Sequence, residues 1–143
     1  MNRIETAVSR FAEGFNCSQA VFSAYAERLG LDEADALRVA AGFGGGMGRM
    51  AETCGAVTGA LMALGMKYGG TTPDRATKER VYQQVRQFAA QFKTLHGSLA
   101  CRDLLGCDIG TAEGQKIAVE QNLFVAKCPE FVRAAAEILE ELL

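Results

Sequence analysis

Apolar residues recur three and four positions apart along nearly the whole chain, the spacing of one face of an α-helix. Ile4, Val8 and Phe11 make the first stripe, and Gly14 ends it. Asn16 then reads as an N-cap, with Cys17 in the first turn and Val21, Phe22, Tyr25 and Leu29 on the inner face up to Gly30. Asp32 is placed to cap a third helix carrying Leu37, Val39 and Ala40, which leads into the glycine-rich stretch Gly42 to Gly48. The next helix starts at Thr53 or Cys54. Its residues Val57, Leu61, Met62, Leu64 and Met66 leave it apolar almost all round, as suits a central buried helix. Gly55, Ala56, Gly59 and Ala60 let neighbouring backbones come close, and Gly69-Gly70 ends the run.

Pro73 opens a long amphipathic helix whose core face is Val81, Val85, Phe88, Phe92 and Leu95. After Gly97 a short helix, 98–105, carries Cys101. Gly106 and Gly110 bracket a turn holding Cys107, and a further helix is expected over 111–121. The last helix begins at Pro129 with the stripe Phe131, Val132, Ala135, Ile138 and Leu139. No alternating stretch is long enough for a strand pair, and no repeat, linker or low-complexity tail interrupts the chain. The expectation is an all-α, single-domain bundle of about six to eight helices over residues 1–143.

A chain of 143 residues buries roughly 68–70% of its unfolded surface and needs no staples to fold. Its five cysteines are therefore not forced by a small core. The net charge of −2 argues against a nucleic-acid surface. Arg75, Lys78, Arg80 and Arg86 gather in one segment, but they alternate with apolar residues at helical spacing and read as a solvated helix face. The N-terminus carries no secretory signal. The most apolar run, Cys54 to Met66, is shorter than the about 20 residues a membrane span takes. A cytoplasmic protein with reduced thiols is expected.

Three cysteines fall at predicted helix starts: Cys17 after Asn16, Cys54 after Thr53, and Cys128 before Pro129. Helix N-terminal N–H groups and the positive end of the dipole favour the thiolate, so a lowered thiol pKa is expected at each, with Cys54 the foremost. Cys101 lies beside Arg102, and Arg49 and Lys127 are near the others in sequence, a charge of the right sign for thiolates. No Cys-x-x-Cys is present, so neither a thioredoxin-type pair nor a zinc knuckle is indicated. His96, the only histidine, ends a helix next to Gly97, where a C-terminal charge or surface role is the ordinary reading. The glycine stretch follows no strand and lacks a Gly-Lys-Ser/Thr ending, so a backbone bend packed close to the cysteines is expected rather than a phosphate loop.

The segment Cys54-Gly55-Ala56-Val57-Thr58-Gly59 resembles the signature of a family of redox-active proteins named for its C–GCAxxG–C–C cysteine pattern. By that resemblance Cys54 is the motif cysteine, and Cys17, Cys101 and Cys128 are the first, third and fourth family cysteines; Cys107 is additional. The resemblance implies redox activity and leaves the reaction open. In one reading Cys54 is the attacking thiolate of a thiol–disulfide protein, a thiol-dependent oxidoreductase being one form, and Cys17, Cys101 or Cys128 closes the disulfide. In a second, Cys17, Cys54, Cys101 and Cys128 converge on one metal centre, an iron–sulfur cluster or zinc. In a third, the cysteines fill the core of a helical binding module. The expected partner is a redox protein or a small thiol; a homodimer is allowed, and nucleic acid and a membrane span are not expected.

Overall fold

Caps and glycines set the helix boundaries in the structure, a computed structural model that describes residues 1–143. Eight helices of five residues or more follow in order: α1 Arg3–Glu13, α2 Cys17–Ala26, α3 Glu33–Ala40, α4 Gly55–Tyr68, α5 Arg75–His96, α6 Cys101–Leu105, α7 Ala112–Glu120 and α8 Cys128–Leu142. A single extra turn, Leu123–Ala126, leads into α8. There is no strand; one isolated antiparallel bridge joins Thr53 to Ala100. The all-α bundle matches the sequence expectation.

The cap signals act locally as their chemistry dictates. Asn16 closes a capping box: its side chain accepts from the Gln19 N–H at 2.9 Å, and the Gln19 side chain accepts from the Asn16 N–H at 3.0 Å. Asn2, Asp74 and Thr111 cap α1, α5 and α7 with the first of these bonds alone, each side chain accepting from the N–H three residues on. Asp32 precedes α3 but makes no side-chain cap bond. The long helix starts at Arg75 behind Asp74, so Pro73 stands outside it.

The helix at the centre is α2, not α4. Nine of its ten residues are buried, and it packs against α1, α3, α4 and α8. In α4, Val57 and Leu64 are buried and Leu61 and Met62 half-buried, while Met66 is exposed because the C-terminal turn runs out beyond its neighbours. Val39 is exposed as well, since the short α3 buries Ala36 and Ala40, four residues apart. In α5 only Phe88 and Phe92 are buried. That face continues to His96, four residues on, leaving Leu95 exposed. The basic cluster Arg75, Lys78, Arg80 and Arg86 is solvated, as its spacing suggested. At the other end of the core Tyr25 donates to the Ala136 carbonyl and the Glu140 carboxylate, both at 3.0 Å. One member of the acidic C-terminal turn thereby joins the packing of α2 on α8.

Candidate functional site

Each of the four family-pattern cysteines begins a helix. Cys17 opens α2 behind the Asn16 capping box, Cys54 is the N-cap of α4, and Cys101 and Cys128 are the first residues of α6 and α8. The Cys101 placement corrects the expected start at Ser98. The Ser98 hydroxyl instead accepts from the Ala100 N–H at 3.0 Å, shaping the turn that precedes the helix. All four residues are buried, and all four line one cavity of about 720 Å³.

Two backbone devices bring these helix starts together. The first is the Thr53–Ala100 bridge, flanked by Cys54 N–H to the Leu99 carbonyl at 2.8 Å and Cys101 N–H to the Glu52 carbonyl at 2.6 Å. Neighbours of a bridging pair lie on the opposite face from it, which puts Cys54 and Cys101 on the same side. Arg102 fastens the same segment: it bonds the Met50 and Ala51 carbonyls and pairs with Glu52 at 2.6 Å. The second is the close approach of α4 to α2. A Cβ on Gly55 would stand 3.1 Å from the Cys17 Cβ, and one on Gly59 would meet the Ser18 carbonyl oxygen at 2.7 Å. The glycines of the Cys-Gly-Ala-x-x-Gly segment thus let α4 lie directly on the helix that carries Cys17.

The glycine-rich stretch forms the wall. Five consecutive residues, Gly45 to Arg49, have positive φ, and so does Ala51. This left-handed turn includes Met47, Arg49 and Ala51, each of which bears a strained conformation. At Gly46 a side chain has no room: a Cβ there would stand 2.8 Å from the Cys101 Cβ. The stretch is the bend beside the cysteines that its composition suggested.

The thiols are not electrostatically alike. Cys17 and Cys128 titrate as an interacting pair, Cys17 upward and Cys128 downward. That interaction, burial and the neighbouring sulfurs push Cys17 well up, and the same interaction holds Cys128 below its ordinary value against the opposing effect of burial. Cys54 goes the other way. Burial pushes it up to about 11, although the Ala56 and Val57 N–H groups oppose the shift. Burial, with Cys54 and Cys128 nearby, raises Cys101 to about 12. The lowered pKa expected at Cys54 and Cys17 is therefore overturned: at Cys54 removal from water outweighs the helix N–H groups, and at Cys17 the interaction with Cys128 and burial both act upward. At Cys128 alone the shift is downward.

Four thiolates are the donor set of a zinc or iron–sulfur centre. In this arrangement no three of the His, Cys, Asp and Glu side chains are spaced to hold a metal ion, so a single zinc ion does not fit the site as it stands. Of the basic residues near the cysteines in sequence, Arg49 lines the cavity and is its one charged side chain; Lys127 does not. His96 is half-buried, with its ring centroid 5.2 Å from Phe92 and 5.0 Å from Phe131. It lies outside the cavity, so a cysteine–histidine pair does not form there; it stands in the last turn of α5, packed against Phe92 and Phe131 at the edge of the core. Cys107 is half-buried and also lies outside the lining. All five cysteines are free.

The model of a family described as "Putative redox-active protein (C_GCAxxG_C_C)" matches residues 15–142. The chain belongs to that family. Nothing among curated proteins or solved structures matches it. No helix is long and apolar enough to cross a membrane.

Proposed function

We propose that the protein carries out two-electron thiol–disulfide exchange, with Cys128 as the attacking thiolate and Cys17 as the resolving thiol. What supports this reading is that two cysteines at helix starts line one cavity and that their mutual interaction favours the thiolate at Cys128 and the thiol at Cys17. Exchange needs one thiolate and one thiol within reach of it. Cys128 attacks one sulfur of an acceptor disulfide, forming a mixed disulfide while the other acceptor sulfur leaves and takes a proton. Cys17 gives up its proton and attacks Cys128. The Cys17–Cys128 disulfide forms, and the second acceptor sulfur leaves and takes that proton. Counted from the dithiol, whose Cys128 has already released its proton to solvent in becoming the thiolate, the protein loses two electrons and two protons and the acceptor gains the same number.

Cys54 and Cys101, raised to about 11 and about 12, stay protonated at neutral pH. In this reading they line the cavity beside the reacting pair and do not initiate exchange. We place the protein in the cytoplasm, where five free thiols would be kept reduced.

Anaerobic purification followed by iron, sulfide and zinc assays and a thiol count tests the proposal. A metal-free protein that loses two of its five thiols on mild oxidation with diamide and regains them with reductant is expected. Stoichiometric iron and sulfide, or no thiol lost, would contradict it and return the four-cysteine cluster to first place.

A further inference from the structure

The four cavity cysteines are each no more than 8% exposed. A disulfide must nonetheless come into line with the attacking sulfur before exchange can occur. A disulfide on the surface of a folded partner cannot readily reach sulfurs at that depth, whereas a small molecule entering the cavity can. The cavity does open to solvent: Val119 and Val125 in its lining are 60% and 67% exposed. Its volume of about 720 Å³ lies within the roughly 300–1,000 Å³ of small-molecule sites. Phe11, Phe15, Phe124, Leu104 and Ile109 give it apolar walls, and no acidic residue lines it.

One side chain of that wall is charged. Arg49 pairs with no carboxylate and donates no side-chain hydrogen bond within the protein, although its backbone is held at φ +68°. An exposed cation without a partner, held in a strained backbone position at the wall of a cavity, is a candidate for ligand binding. Arg49 also lines a second cavity of about 650 Å³, and the two share Gly48, Arg49, Ile109 and Gln115. Gln115 has a buried amide oxygen without a partner, and turned over it would present its NH₂ instead. The one acid of the second cavity, Asp108, is turned to its own loop and accepts from the Gly110 N–H at 2.8 Å.

We propose that the molecule exchanging with Cys17 and Cys128 is a small organic disulfide with an apolar body and a single anionic head. Its body lies among the phenylalanines of the first cavity, and its head meets Arg49 where the two cavities join. This inference rests on the thiol–disulfide reading and adds the substrate class. The electron balance is the one given above, with the small disulfide reduced to its dithiol as the Cys17–Cys128 bond forms.

Lipoate, a cyclic disulfide on a short alkyl chain ending in a carboxylate, is the probe. Lipoamide is the same body with a neutral head, and insulin supplies a protein disulfide. Exchange is followed from both sides, reduced protein with lipoate and diamide-oxidised protein with dihydrolipoate, so that the position of equilibrium does not mask the rate. Lipoate is expected to react faster than insulin. Arg49→Gly, which relieves the left-handed strain and so folds, is expected to raise the half-saturating lipoate concentration about tenfold and leave lipoamide unchanged, the loss of one charge-assisted contact. Insulin reacting as fast as lipoate, or Arg49→Gly weakening lipoate and lipoamide alike, would overturn the inference. If diamide itself forms no disulfide, the underlying thiol reading falls and this inference with it. If diamide succeeds and lipoate does not react from either side, only the substrate class falls.

Discussion

Cys54 and Cys128 stand at nearly equivalent places, each at the start of a long helix, yet their thiols ionise in opposite directions. Both stand at a helix start and burial pushes both upward. Cys128 alone is lowered by interaction with another thiol, that of Cys17, and this outweighs burial. Cys54 has only the Ala56 and Val57 N–H groups, and burial outweighs them. Removing Cys17 should therefore undo the activation. In Cys17→Ala, the pH at which Cys128 becomes reactive toward iodoacetamide is expected to rise, with the peptide bearing Cys128 followed by mass spectrometry. An unchanged profile would mean that the helix terminus, not Cys17, sets the thiolate.

At the scale of elements, the site depends on α4 lying against α2. Gly59 has no space for a methyl group, because the atom it would strike is the Ser18 backbone oxygen at 2.7 Å. Gly59→Ala is expected to cost about 1–3 kcal/mol in urea unfolding by forcing the two helices apart. A loss below a few tenths of a kcal/mol would show that the contact yields easily. The start of α2 was legible in the sequence because Asn16 and Gln19 close it, whereas at α5 Pro73 drew the reading to one residue before the true cap, Asp74. The start of α6 was not legible, because a backbone bridge sets it: Thr53 pairs with Ala100 across an interval that no local pattern encodes. The left-handed turn at Gly45–Arg49 was legible only as a bend. Glycine content announces positive φ, but it does not announce that Met47, Arg49 and Ala51 share it.

Across the whole molecule, four helix starts from distant parts of the chain meet at one cavity. The four cysteines could be read off the sequence as a set, but not which two interact, since that depends on how α2 and α8 cross. Their burial also sets how stability responds to pH. Cys54 and Cys101 have folded values of about 11 and about 12 against an ordinary 9.0, and Cys17 is raised too. The unfolded chain then loses these protons first as pH rises. Their contribution is fully present below about pH 9 and is lost as pH climbs toward 11 and 12, at up to about 1.4 kcal/mol per group per pH unit. Cys128, lowered in the folded state, has the opposite sign: its contribution is present above pH 9 and fades as pH falls through its folded value. Urea unfolding from pH 8 to 11 should show stability falling above pH 9, and a smaller fall in Cys54→Ala. A flat curve would mean that water reaches the thiols.

The central claim is that Cys17 and Cys128 form the redox pair. Differential alkylation of the diamide-oxidised protein, followed by peptide mass spectrometry, tests it most directly. A single cross-link between the peptides carrying Cys17 and Cys128, with Cys54, Cys101 and Cys107 alkylated, is the predicted result. A cross-link joining Cys54 to Cys101, or five alkylated thiols, would contradict it.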